Sequence, residues 1–168
     1  MHRYSTGKLL IKHKAVSLAA GIALHAYVGA AYAADITIEN TVALSFGSFA
    51  AGSGGTVTVS PEDVRSASGG VVLFPSATVI AAEFVVRGDR NASYTLELPA
   101  NNSVKLTAPG AHMELKDFSS DIIRTSGPLT GFLVGGSQTH SIGATLVVGN
   151  GQPPGDYSGS FTVTVNYN

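Results

Sequence analysis

The stretch Asp156-Tyr-Ser-Gly-Ser-Phe-Thr-Val-Thr-Val-Asn-Tyr-Asn168 alternates in period two up to its final residue. Tyr157, Phe161, Val163, Val165 and Tyr167 fall on one side, and Ser158, Ser160, Thr162, Thr164, Asn166 and Asn168 on the other. Successive side chains of a strand take opposite faces, so the pattern predicts a half-buried β-strand with a core face and a wet face. At roughly 1.5–3 kcal/mol per large buried apolar side chain, the inward face contributes on the order of 7–15 kcal/mol, comparable to the net stability of a whole domain. A slip of one residue would carry Ser and Thr into the core, so the register is expected to be strongly fixed. From Tyr157 to Asn168 there is no charge and no proline. Natural sheet edges are blunted by Lys, Pro or bulges, so this is either an interior strand or an edge open to a partner strand.

Working outward, Gly149-Asn-Gly-Gln-Pro-Pro-Gly155 is a turn cluster that delivers the chain into this strand, and residues 139–148 have strand chemistry. Residues 104–107 and 112–118 flank Ala108-Pro109-Gly110-Ala111 and predict a hairpin, as do residues 82–87 and 93–98 around the turn-formers of 88–92. The run Val71-Val72-Leu73-Phe74, between Gly69-Gly70 and Pro75, predicts a core strand. Residues 56–60 predict another, after the Gly-rich turn of 47–55. Ile36, Ile38, Val42, Leu44 and Phe46 all hold even positions, giving either one long alternating segment or a short arm, 34–41, before a first strand. Residues 119–132 are the least regular. Many short strands with frequent turn signals, and no sustained 3.6-residue apolar period after the leader, predict an all-β antiparallel sandwich forming one domain over 34–168.

The N-terminus reads differently. Arg3, Lys8, Lys12 and Lys14 precede an uncharged run over 15–34 that contains Ala31-Tyr32-Ala33. A basic region, an apolar region and a small-x-small motif predict a secretory signal peptide over 1–33, cut after Ala33. A retained membrane anchor is the alternative, since about 20 uncharged residues just span a bilayer. Removing the leader leaves six basic residues against eleven acidic ones, a net charge of −5. That balance argues against a nucleic-acid partner, which needs a basic stripe, and fits a secreted protein of the periplasm, cell surface or medium, with no membrane span once cut. The chain has no cysteine, so disulfides, thiolate zinc sites and cysteine nucleophiles are excluded.

Catalytic material is sparse. There is no Gly-x-Ser-x-Gly elbow, and His112 and His140, the histidines outside the leader, fall in separate strands and read as exposed strand residues. Asp89-x-Asn91-x-Ser93 begins like a calcium loop, but Tyr94 stands where Gly is needed and Ala100 where Glu is needed, so it reads as an Asx turn. Neither a cofactor, a metal site nor an enzyme is expected. Tyr94, Tyr157 and Tyr167 could stack sugars on an exposed face, which keeps a self-complete glycan- or cell-wall-binding sandwich as the second reading.

Three features of the ends resemble bacterial chaperone-usher pilin subunits: penultimate Tyr167, the alternation of Val165, Val163 and Phe161 behind it, and Gly155 fourteenth from the end. Leu44-Ser45-Phe46-Gly47-Ser48-Phe49 is similar to the first strand of those pilins and of spore-coat-like secreted proteins. The chain as a whole more closely resembles a secreted bacterial family, of no established activity, that ends in Pro-Gly-x-Tyr-Ser-Gly-x-Phe-Thr-Val-Thr-Val-Asn-Tyr, matched here by residues 154–167. The pilin resemblance implies an immunoglobulin-like sandwich that lacks one strand. It further implies a non-enzymatic subunit of a surface fibre or coat, whose groove is filled first by a periplasmic chaperone and then by the N-terminal arm of another subunit. On that footing Gly155, Tyr157, Phe161, Val163, Val165 and Tyr167 line the groove, and Ile36 and Ile38 of the arm are the donor residues. The arm is short for this task, about 26 Å if extended, and the cysteine pair frequent in related families is missing.

Overall fold

The computed structural model describes residues 34–75, 78–122 and 128–168, so the expected leader lies outside the described residues. The strands run β1 (Thr37–Val42), β2 (Phe49–Ala50), β3 (Gly55–Val59), β4 (Arg65–Gly69), β5 (Val72–Leu73), β6 (Ala82–Arg87), β7 (Ser93–Glu97), β8 (Val104–Ala108), β9 (Ala111–Ser120), β10 (Leu129–Phe132), β11 (Ser137–Val148) and β12 (Thr164–Tyr167). A 3-10 turn, Val134–Gly136, precedes β11. Among the described residues the chain is all-β and every strand pairing is antiparallel. Among the described residues no helix is long and apolar enough to cross a membrane.

The larger sheet is organised by β11. Ile142 pairs with both Ala82 of β6 and Ser120 of β9, and Thr145 pairs with both Thr58 of β3 and Lys116 of β9. Hence β6 and β3 share one edge of β11 in tandem, and β9 takes the other. From there β1 adds to β6, β4 to β3 and β8 to β9. The change of partner falls at Gly143, where a Cβ would lie 2.2 Å from the carbonyl oxygen of Val59. Only glycine lets the end of β3 come so close to β11.

A second sheet, in the order β10-β7-β12, faces this one, and β2 pairs with β5 as a small separate ribbon. The core forms where the two faces meet. Val57, Phe84, Val86, Leu106, Met113, Leu115, Ile142 and Leu146 from the larger sheet pack with Tyr94, Leu96, Leu129, Phe161 and Val163. Phe161 meets Phe84 edge-on at 5.9 Å and Phe118 at 5.3 Å between ring centres.

The predicted sandwich class and the hairpin of β8 and β9 are present. Residues 82–87 and 93–98 do not form the expected hairpin: β6 belongs to one sheet and β7 to the other. Their connection turns a corner, because its backbone bonds to the turn before β11, Gly88 N–H to Gly136 at 3.0 Å and Asn91 N–H to Leu133 at 2.8 Å. The apolar run 71–74 is not a core strand either, with Val72 and Phe74 56% and 41% exposed. It is held at the periphery by β2 and by Arg65, whose guanidinium donates to the carbonyls of Phe46, Ser48 and Phe74. Strand β4, Arg-Ser-Ala-Ser-Gly, carries no apolar alternation and is exposed along its length apart from half-buried Arg65.

Gly143→Ala is expected to destabilise the fold by about 1–3 kcal/mol, the usual cost of overpacking. Urea unfolding of the two proteins measures it, and an unchanged midpoint would mean that β11 and β3 can separate at little cost.

Candidate functional site

The stretch 156–168 keeps its predicted alternation of burial: Tyr157, Phe161 and Val163 are buried, Val165 and Tyr167 half-buried, and Ser158, Ser160, Thr162 and Asn166 exposed. It is not one continuous ladder. Ser158 bridges Thr107 of β8, with reciprocal bonds of 2.8 and 3.1 Å, and only Thr164–Tyr167 pairs with β7. The stretch therefore leaves the larger sheet, drops Phe161 between the sheets and finishes in the smaller one.

The ladder stops for a local reason. Thr164 opposes Glu97, so two residues earlier Thr162 would oppose Pro99, which has no N–H to donate. Residues 160–163 make no backbone hydrogen bond among the described residues. Beyond them, Asn168 N–H donates to Ser93 C=O at 3.2 Å. Antiparallel positions alternate, so Thr164, Asn166 and Asn168 face β7, and the backbone groups of Val163, Val165 and Tyr167 face outward. No described strand pairs with that outer edge.

Tyr157 and Tyr167 close the two ends of this stretch. The Tyr157 hydroxyl donates to Pro153 C=O at 2.7 Å and accepts from Gln152 Nε2 at 2.8 Å, fixing the turn that precedes the stretch. Gly155 sits beside it, and a Cβ there would meet only ordinary contacts, Ala108 at 3.6 Å and Tyr157 at 3.9 Å. The Tyr167 hydroxyl donates to Ala34 C=O at 2.9 Å and accepts from Asp89 N–H at 2.6 Å. Through Tyr167, β12 is joined to the start of the arm.

The arm itself lies in the chain's own sheet. Residues 37–42 are β1, paired with β6 from Thr37↔Arg87 to Asn40↔Phe84, followed by a bulge before Val42. Ile38 is 3% exposed and Ile36 packs against the core, so here both fill the core of their own molecule. The candidate residues thus gather as two neighbouring outer edges, β1 with Ile36 and Ile38 and β12 with Val165 and Tyr167, with Phe161 and Val163 below and Gly155 and Tyr157 at the far end.

The family described as "Domain of unknown function (DUF4402)" matches residues 36–167. The chain belongs to this family. The match runs from Ile36 of the arm to penultimate Tyr167, so both edges fall inside the family domain. Nothing among curated proteins or solved structures matches the chain.

The expected sugar-stacking face is not available on Tyr94 and Tyr157, which are 0% and 1% exposed. Nor is His140 an exposed strand residue, being 5% exposed in the core. Its Nδ1 lies 2.9 Å from Asp121 Oδ1 and its Nε2 is hydrogen-bonded to the Tyr94 hydroxyl. An ionised carboxylate only accepts, so Nδ1 carries a proton, and in the neutral imidazole Nε2 accepts from the phenol. The result is a buried polar tie between β7 of one sheet and β11 of the other, reaching the surface at Asp121. Gly131 lies against the Tyr94 ring, where a Cβ would be 2.3 Å from it. Sequence reading missed this tie because its members lie on three distant segments. Among the described residues no group of His, Cys, Asp and Glu could hold a metal.

The Tyr94 phenol is pushed up to about 12, first by burial and second by the Asp121 charge. An unfolded tyrosine ionises near 10. Between those values the unfolded chain gives up a proton that the folded chain keeps. The contribution is complete below pH 10 and is lost as pH rises through 12. In urea unfolding followed across that window, Tyr94→Phe should remove about 2 kcal/mol of the alkaline decline, and equal declines in both proteins would refute the assignment.

Proposed function

We propose that the chain is a secreted, non-enzymatic subunit of a bacterial surface fibre or coat that joins its partners by β-strand addition along the outer edge of residues 160–167. The observation that carries this reading is the unpaired backbone of 160–163, whose alternate side chains are nonetheless buried. A strand laid there would satisfy exposed N–H and C=O groups and gain main-chain hydrogen bonds without disturbing the core. No charge or proline in this edge opposes such an addition, and none deters self-association. The strand can come from a periplasmic chaperone or from another subunit. Because Ile38 is core in its own molecule, an arm that serves another subunit first leaves β6, as in strand exchange between identical chains.

The reading is tested at the outer edge, at half-buried Val165 and exposed Thr162. Val165→Pro removes an N–H that faces away from β7, and Thr162→Lys places a charge on an exposed side chain. Wild type is expected to form concentration-dependent, SDS-resistant ladders, with light scattering after size exclusion reporting the mass. Both variants should stay folded and monomeric. A wild-type chain that remains monomeric at every concentration, with or without periplasmic extract, would sink the reading; assembly unchanged in both variants would exclude this edge.

A further inference from the structure

Ala34 is held at both of its backbone groups. Its N–H donates to Asp89 Oδ1 at 2.9 Å, and its C=O accepts from the Tyr167 hydroxyl at 2.9 Å. The same hydroxyl accepts from the backbone N–H of Asp89 at 2.6 Å. Three hydrogen bonds thus close a ring through the first described residue, the 88–92 loop and β12. Gly88 makes the ring possible, since a Cβ there would lie 2.3 Å from the Tyr167 hydroxyl oxygen. The Asp89 carboxylate makes no ion pair among the described residues.

The sequence gives this nitrogen a second identity. Ala31-Tyr32-Ala33 directs the cut of the leader to the bond between Ala33 and Ala34. Before the cut the atom bonded to Asp89 is a neutral amide. Hydrolysis adds water across the Ala33–Ala34 peptide bond: the Ala33 carbonyl leaves as a carboxylate, and the Ala34 nitrogen becomes an α-ammonium. That converts a neutral donor into a charged one beside a carboxylate already in place, and charge-assisted bonds of this kind are about twice as strong as neutral ones.

We propose that Asp89 is the receiving site for the α-amino group freed at Ala34, so that removal of the leader latches the new N-terminus to the last strand. Other charged or titratable groups lie on the same segments. Arg90 follows Asp89 in the loop, Asp35 follows Ala34, Tyr167 comes from β12, and the Arg87–Glu39 pair, 2.9 Å apart, ties β6 to β1. The inference rests on the leader reading and is independent of strand addition.

The sign of the pH dependence follows. A carboxylate partner favours the charged amine, so the freed group titrates above the ordinary α-amino range in the folded chain. The latch is complete below the unfolded α-amino value, near 8, and is lost as pH rises through the higher folded value.

The test uses the full-length precursor, exported and processed by a secreting bacterial host, as wild type, Asp89→Asn and Asp89→Glu. N-terminal sequencing should return Ala34, and any other first residue overturns the proposal at the leader. NMR titration of the Ala34 α-amino group should show a higher midpoint in wild type than in Asp89→Asn, with Asp89→Glu between them. Wild type should also melt above Asp89→Asn at neutral pH, and the gap should shrink once the amine is neutral. Unprocessed precursor should show no such pH-dependent change in that gap. Identical α-amino titrations in wild type and Asp89→Asn would overturn the latch while leaving the cleavage site intact.

Discussion

The fold depends on one strand serving partners along both of its edges. Over twelve residues β11 bonds β6 and then β3 on one side and β9 on the other, and each of those holds an outer strand. Such a strand must be buried on its inner face and free of bulky side chains where its partners change. Its second half reads Ile-Gly-Ala-Thr-Leu-Val-Val, with Gly143 at the change of partner. The smaller sheet has no backbone ladder to this hub. It is joined through side chains, Phe161 between Phe84 and Phe118 and Tyr94 against His140, and through the crossing of the C-terminal stretch from β8 to β7. The hydrophobic contacts supply most of the stabilisation between the sheets. The polar tie sets their relative position, because a buried phenol and imidazole each require a partner at fixed distance.

What could be read from the sequence follows from how local each determinant is. Strands β8, β9 and β11, and the alternation of 156–168, were legible because side-chain period and turn residues are properties of neighbours in the chain. The corner between β6 and β7 was not, because Gly88-Asp89-Arg90-Asn91-Ala92 has turn chemistry suited to a hairpin or a corner. The decision is made by Leu133 and Gly136, more than forty residues on. Strand β4 is recruited by the ladder to β3 rather than by its own composition. The run 71–74 has core chemistry, yet it is fixed at the rim by carbonyl bonds to Arg65.

The candidate edge divides in the same way. Its buried face was written in Phe161, Val163, Val165 and Tyr167. The gap in its pairing begins opposite Pro99, just beyond the end of β7, which no reading of the C-terminal stretch alone would reveal. The outer strands of the larger sheet carry a charge, Glu39 in β1, Arg65 in β4 and Lys105 in β8, whereas those of the smaller sheet, β10 and β12, carry none. The contrast within one molecule is informative, because a chain under uniform pressure against edge pairing would protect all of its edges alike. Residues 34–41 also had two readings in sequence, and in the fold Ile36 and Ile38 alternate as a first strand beside β6 would.

A single phenol oxygen, on Tyr167, touches both Ala34 and Asp89, so the two ends of the domain lie one hydrogen bond apart. In topological terms the domain is nearly a closed loop, and the position of its opening is only weakly coupled to its packing. A short bridge from Asn168 to Ala34 would turn the fold into a continuous ring. New ends could then be placed at an exposed loop tip such as Pro109-Gly110, between β8 and β9, with the order of the strands permuted and their neighbours unchanged.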